Sequence, residues 1–296
     1  MNSGVLVMDK PQGFTSFDVI GKLRGILKMK KLGHTGTLDP MATGVLPVLV
    51  GTAARACDIL PDERKAYRAD FQLGTVTDSQ DSTGNVLETH AFSVDEAAFL
   101  RVLPQFTGTI EQIPPMFSAV QIGGKRLYEL AREGKVVERP ARTVHVEQLT
   151  LEAFDPEAGC GTLYIECGKG TYVRTILHDI GLALGCGCMM TALRRTMACG
   201  FSLDTAHTFD EVQAAADSGT LNALIIPTDR LFAALPELSL GEAQARLYRN
   251  GVKLDLKRVQ GLSAASRYRI YAPEREFLGL AEADRENGCL RVYKNL

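Results

Sequence analysis

Residues 33–44 read Gly33-His34-Thr35-Gly36-Thr37-Leu38-Asp39-Pro40-Met41-Ala42-Thr43-Gly44. Small residues there surround one imidazole and one carboxylate. A carboxylate in such a loop can serve as nucleophile or base, and the glycines permit unusual backbone angles and close approach of a ligand. The Gly-Lys-Ser/Thr ending of a phosphate-binding loop is absent. Cys186 and Cys188 form a lone Cys-x-Cys with Cys160 and Cys167 upstream, and no histidine stands at a finger-like spacing, so no metal site is expected. Those cysteines read as small buried hydrophobes. On residue types alone Asp39 equally fits a turn residue bonding its own backbone, and His34 a structural histidine.

The surrounding elements follow from periodicity. An apolar strand over 5–7 precedes the turn Lys10-Pro11-Gln12-Gly13. Thr15 or Ser16 can cap a helix whose Val19, Ile20, Leu23 and Leu27 recur at helical spacing. Its other face carries Lys22, Arg24 and Lys28, followed by Lys30 and Lys31, a local cationic surface. Tyr67, Ala69, Phe71 and Leu73 alternate as in a half-buried strand, and 74–85 reads as a polar loop. Ser93 or Asp95 starts a helix towards Leu103. Residues 114–140 are poor in apolar side chains, with a helix around 127–132, and are expected to protrude and move. Strands are expected at 144–151 and 163–167, a helix with Ile176, Ile180 and Leu184 along one face, and a capping box at Thr208 and Glu211.

Beyond Leu235-Pro236 the pattern changes. Ser239 is expected to cap a helix ending at Asn250-Gly251, with short strands at 268–271, 277–280 and 290–293. Arg246, Arg249, Lys253, Lys257, Arg258, Arg267 and Arg269 face only Asp255 between 246 and 269, which predicts a second basic surface. Strands interspersed with helices without a strand-helix-strand rhythm indicate α+β. With 45% hydrophobic and 23% charged residues, composition excludes a disordered or fibrous chain. The net charge of -2 means that any nucleic-acid binding must rest on local patches. No apolar run is long enough to span a bilayer. The seven cysteines, without a secretory leader, set reduced thiols and a cytoplasmic location as the expectation.

Residues 33–46 resemble the catalytic motif of the tRNA pseudouridine synthase B family. Further segments resemble that family's motifs in order: Asp9-Lys10-Pro11-Gln12-Gly13 with Thr15-Ser16, Lys65-Ala66-Tyr67 with Leu73-Gly74, Pro114-Pro115-Met116-Phe117-Ser118-Ala119 with Gly124-Lys125-Arg126-Leu127-Tyr128, Gly170-Thr171-Tyr172-Val173-Arg174-Thr175, and Leu193-Arg194-Arg195. The resemblance implies an α+β pseudouridine synthase catalytic domain over 1–235, with a mixed or antiparallel sheet, flanking helices and an RNA-contacting insertion at about 112–142. A small β-rich PUA-like RNA-binding domain at 236–296 follows.

By the same resemblance the substrate is tRNA, at uridine 55 in the T stem-loop, with no cofactor and no metal. Asp39 would be the catalytic nucleophile or base, Arg174 its ion-pair partner, and Tyr67 the stacking platform for a flipped uracil. Tyr172 and Leu193 would line the pocket. His34 would enter the space left by displaced T-loop bases, and Lys10 would be structural or RNA-facing. Thr37, Lys125 and Arg126 would contact RNA. Monomer is the default expectation. The competing readings are a non-catalytic RNA-binding or RNA-folding protein, a pseudouridine synthase for another RNA site, and a hydrolase using Asp39, for which no phosphate- or metal-binding partner residue is present.

Overall fold

Strand Lys65–Leu73 turns Tyr67, Ala69, Phe71 and Leu73 to the interior, as the alternation predicts. In the computed structural model, which describes residues 3–296, this strand lies inside a ten-stranded sheet. The order across the sheet is Ile226–Pro227, Gly4–Lys10, Thr43–Val50, Cys188–Ala198, Lys65–Leu73, Cys160–Cys167, Arg142–Asp155 and Gly108–Gln112. Leu32–His34 pairs with Thr43–Val50, and Phe201–Ser202 with Cys188–Ala198. Among the described residues only the pairing of strand Thr43–Val50 with Cys188–Ala198 is parallel in this sheet, so the sheet is mixed and the fold is α+β.

Helices flank this sheet. Ser16–Leu27 begins at Thr15, whose Oγ1 accepts from Asp18 N at 3.0 Å while Asp18 Oδ2 accepts from Thr15 N at 2.8 Å. Val19, Ile20, Leu23 and Leu27 are buried on one face, each contributing roughly 1.5–3 kcal/mol of transfer free energy. Val173–Ala183 buries Val173, Ile176, Leu177 and Ile180 against strands Lys65–Leu73, Cys160–Cys167 and Cys188–Ala198, beside the Phe71–Phe99–Phe154 aromatic cluster. Gly181 lets that helix close on the next strand, because a Cβ there would lie 2.2 Å from Cys188 N.

The C-terminal segment forms a five-stranded sheet, in the order Glu237–Ser239, Arg267–Tyr271, Phe277–Asp284, Cys289–Asn295 and Leu254–Asp255. Its own core includes Leu238, Tyr248, Tyr268, Ile270 and Leu290. Leu280 packs instead with Val5, Val7 and Phe232, and Tyr271 donates from its hydroxyl to Asp229 Oδ2 at 2.7 Å, so the module seats directly on the larger sheet. All seven cysteines are free thiols, with Cys186 and Cys188 buried. Among the described residues no helix is long and apolar enough to cross a membrane.

Three expectations need correction. Ser239 does not cap a helix. It ends strand Glu237–Ser239, and pairing continues through Leu240 N, which donates to Tyr271 O at 2.8 Å. Glu242–Arg249 therefore starts two residues later than expected, with Gly241 as its cap. Residues 74–85, expected as a polar loop, are a loop only in part: they contain a strand, Thr75–Thr77, and the polar side chains of Thr77, Ser79 and Asp81 are buried. The C-terminal basic surface is smaller than the charge count implies. Arg269 is 12% exposed and pairs with Glu237 at 3.1 Å, Arg249 pairs with Glu276, and the Arg267 guanidinium covers the Tyr293 ring at 3.9 Å. Arg246, Lys253, Lys257 and Arg258 remain exposed.

Candidate active site

The loop carrying Asp39 is fastened at several points. Ser16 Oγ accepts from Leu38 N at 2.8 Å and donates to Leu38 O at 3.3 Å. Gly13 N donates to Pro40 O at 2.8 Å, and Ala42 N to Asp39 O at 3.1 Å. Where the loop rejoins the sheet, Gly44 has φ +100° and a Cβ there would lie 2.2 Å from Arg195 O, so only glycine fits. Arg195 is fully buried and donates to Val45 O at 2.6 Å, Gly36 O at 3.3 Å and Thr37 O at 3.4 Å. Its guanidinium thus fixes the backbone just before Asp39.

Asp39 opens onto a cavity of about 320 Å³ bounded by Thr37, Tyr67, Ser118, Tyr172, Arg174 and Leu193 among others. Arg174 Nε lies 3.1 Å from Asp39 Oδ2, with the guanidinium only 6% exposed. Three more contacts hold that guanidinium. Nη1 donates to Ser79 O at 3.1 Å and to Asp81 Oδ2 at 3.3 Å, and Nη2 donates to Phe117 O at 2.9 Å. Asp81 is itself buried, its Oδ1 accepting from Ser79 Oγ at 2.7 Å and Thr83 N at 3.0 Å. Arg174 therefore bridges the Asp39 carboxylate, the buried Asp81 carboxylate and the backbone at Phe117.

Burial raises the Asp39 pKa above the usual carboxylate value; the Arg174 charge opposes this, Asp81 adds to it, and Lys10 opposes it. The arginine opposes that rise and favours the charged form of the carboxylate. Burial likewise pushes the Tyr67 hydroxyl up to about 12, partly offset by Arg195, so the ring offers an apolar face and a neutral phenol. Leu193 stands on Cys188–Ala198, the strand beside Tyr67, and both line the cavity. Tyr172 precedes helix Val173–Ala183 and is held by the buried Gln112, whose Oε1 accepts from Tyr172 N at 2.8 Å and whose Nε2 donates to Tyr172 O at 3.0 Å.

The cavity thus gathers Asp39, Tyr67, Arg174, Tyr172, Leu193 and Thr37. Lys10 is placed differently from an RNA-facing residue. It is fully buried, and its Nζ donates to Pro11 O at 3.0 Å, Phe14 O at 2.6 Å and Pro40 O at 3.4 Å, a structural clasp behind the Asp39 loop. Its pKa falls to about 8, chiefly through burial. His34 does not line the cavity; its Nδ1 is buried, and burial lowers its pKa, which favours the neutral ring. Lys125 and Arg126 lie exposed on the insertion, Lys125 Nζ pairing with Glu133 at 3.3 Å.

Asp81, Gln112 and Arg195 were not singled out for function by sequence reasoning. The run Thr77-Asp78-Ser79-Gln80-Asp81-Ser82-Thr83 carries the available signal, a density of short polar side chains able to bond their own backbone. A larger groove of about 630 Å³ between helices Ser16–Leu27 and Phe209–Asp217 is lined by Lys22, Lys28 and Asp217 among others, without a paired carboxylate and guanidinium like that beside Asp39.

Three family models match successive parts of the chain. TruB family pseudouridylate synthase (N terminal domain) covers residues 24–173, tRNA pseudouridylate synthase B C-terminal domain 174–233, and Pseudouridine synthase II TruB, C-terminal, 236–293. The chain is 40% identical over 287 residues to tRNA pseudouridine synthase B of Mannheimia succiniciproducens, covering 96% of this chain and 93% of that one. It is 43% identical over 282 residues to the protein of the same name in Thiobacillus denitrificans, covering 95% and 92%. Among solved structures it is similar to a crystal structure of a Cbf5-Nop10-Gar1 complex, with a TM-score of 0.71 and 27% identity, covering 95% of this chain and 78% of that one.

Proposed function

The chain belongs to the TruB family of pseudouridylate synthases and is an enzyme that isomerises uridine in tRNA, and on that premise we propose that it acts on uridine 55 of the T loop with Asp39 as the reacting carboxylate. The observation that carries the reading is the Asp39–Arg174 pair, 3.1 Å apart, set in a cavity that also presents Tyr67 and Leu193. Binding alone does not require a partly buried carboxylate paired with a buried guanidinium.

The reaction breaks the C1′–N1 bond, turns the uracil, and joins C5 to C1′. The C5 proton leaves and N1 gains one, so nothing is oxidised or reduced. Three routes start from a carboxylate: attack at C1′, attack at C6, or removal of the 2′ proton to give a glycal. All three require Asp39 ionised, and Arg174 supplies the counter-charge. The uridine must first leave its stack, at a cost of roughly a few kcal/mol. Tyr67 replaces lost stacking with an aromatic face, and Leu193 and Tyr172 exclude water from the ring.

The remaining affinity comes from the backbone of the RNA. The exposed Lys28, Lys30 and Lys31 after the first helix, Lys125 and Arg126 on the insertion, and Arg246, Lys253, Lys257 and Arg258 on the C-terminal module are the phosphate contacts in this reading. Thr37, exposed at the rim of the cavity, is a further RNA contact in this reading, and His34 lies behind it in the same segment. Residues 1–235 act as the catalytic domain and 236–296 as a PUA-like RNA-binding domain, in a cytoplasmic monomer whose seven free thiols suit a reducing compartment. Release of tritium from tRNA labelled at uridine C5, with the modified position mapped, tests the assignment. Release from another position would keep the chemistry and overturn the substrate site, and binding without release would leave an RNA-binding protein.

A further inference from the structure

We propose that the Ser118 hydroxyl is a substrate-holding group that keeps the detached uracil in place while it turns, an inference that rests on the uridine isomerisation proposed for this cavity. Ser118 is 5% exposed, its Oγ is buried, and no hydrogen-bond partner lies within reach among the described residues. The same residue lines the cavity with Asp39, Tyr67, Arg174 and Leu193. A buried hydroxyl left unpaired costs free energy unless something completes it.

The backbone around Ser118 is fixed on both sides. Phe117 O accepts from Arg174 Nη2 at 2.9 Å, Ser118 N donates to Met116 O at 2.9 Å, and Ser118 O accepts from Tyr128 N at 3.1 Å. The hydroxyl is thereby registered against the arginine that pairs with Asp39. Its natural partner is the nucleotide that fills the cavity.

Uracil has a property that suits a hydroxyl in this position. To exchange N1 for C5 at the sugar, the ring turns half a revolution about the axis through N3 and C6. That motion swaps O2 with O4 and leaves N3–H on the axis. The ring therefore presents nearly the same donor and acceptor edge before and after. A serine hydroxyl both donates and accepts, so it can hold that edge in both orientations, when no covalent bond holds the base.

The test compares wild type with Ser118→Ala and Ser118→Cys in single-turnover tritium release from C5-labelled tRNA. Affinity for tRNA and thermal midpoint are measured on the same proteins. Ser118→Cys keeps the shape of the side chain with a slightly larger atom and supplies only a weak hydrogen bond, so the test survives if Ser118→Ala repacks. Both variants are expected to turn over roughly tenfold more slowly, with tRNA affinity within about twofold and the thermal midpoint not lowered, because an unpaired hydroxyl has been removed. Wild-type rates in both variants would overturn the inference while leaving the reaction standing. A rate loss in Ser118→Ala alone, accompanied by a lower midpoint, would make Ser118 a packing residue and also overturn it. Binding without any release by wild type would remove the reaction and the inference together.

Discussion

Replacing Asp81 by Asn separates the two things that carboxylate does. It orients Arg174 through the 3.3 Å contact to Nη1, and its charge pushes the Asp39 pKa up. In Asp81→Asn the amide oxygen is expected to take the place of Oδ1, which accepts from Ser79 Oγ and Thr83 N. The amide nitrogen then faces the Arg174 guanidinium, donor against donor. A buried charged hydrogen bond is lost and the arginine keeps one fewer anchor, a change of about 2 kcal/mol, or roughly a thirtyfold fall in the chemical step if it is felt there in full. The pH dependence moves separately. Asp39 must be ionised, so the rate falls as pH drops through its folded-state pKa. Removing the Asp81 charge removes a raising influence, so that acidic limb shifts to lower pH while the plateau falls. Single-turnover tritium release across the pH range, with enzyme in excess of labelled tRNA, reads both quantities. An unchanged plateau would show that Arg174 is positioned without Asp81, and an acidic limb shifted upward would show that the guanidinium had left Asp39. Either result refutes the reasoning.

Other consequences follow from the same geometry. Arg174→Lys keeps the charge but cannot make the separate contacts to Asp39, Ser79, Asp81 and Phe117; turnover should fall about a hundredfold or more, with the acidic limb moved to higher pH, as a pH–rate profile would show. Lys10→Met should remove the side-chain donor from Pro11 O and Phe14 O and one of the two donors to Pro40 O, lowering stability by about 1–3 kcal/mol in chemical denaturation; an unchanged denaturation midpoint would remove the structural role. Gly44→Ala places a Cβ 2.2 Å from Arg195 O on a φ of +100°, so the thermal midpoint and the activity should fall together. Reversing the charge of Lys253 and Lys257 should weaken tRNA binding and flatten its salt dependence in a titration of affinity against salt, while turnover at saturating enzyme stays near wild type.

The parts of this molecule legible in its sequence are those in which burial is periodic. Helix Ser16–Leu27 and strand Lys65–Leu73 present their apolar residues at spacings of 3.6 and 2, and their caps and turns use residues with one strong local preference. The cluster around Arg174 was harder to see. Ser79, Asp81 and Thr83 are polar and buried because they bond one another and the arginine, so the run looks solvated until its partners are known. Lys10 presents the same difficulty, as an ammonium satisfied by three carbonyls from the turn after it and the Asp39 loop. In the C-terminal module the cation count could not show that Glu237 and the Leu235 carbonyl hold Arg269. Arg174 for Asp81, Pro40 for Lys10, and Glu237 and Leu235 for Arg269 are all distant in sequence, and no spacing along the chain encodes those contacts.

The central claim is that Asp39 performs the chemistry on a T-loop uridine. Wild type and Asp39→Asn should be compared on one unmodified tRNA labelled at uridine C5, measuring tritium release, the modified position and tRNA affinity. Release from position 55 by wild type alone, with both proteins binding, is the expected result. Release by Asp39→Asn at the wild-type rate would contradict the account, because a carboxamide cannot supply the charge that all three routes require.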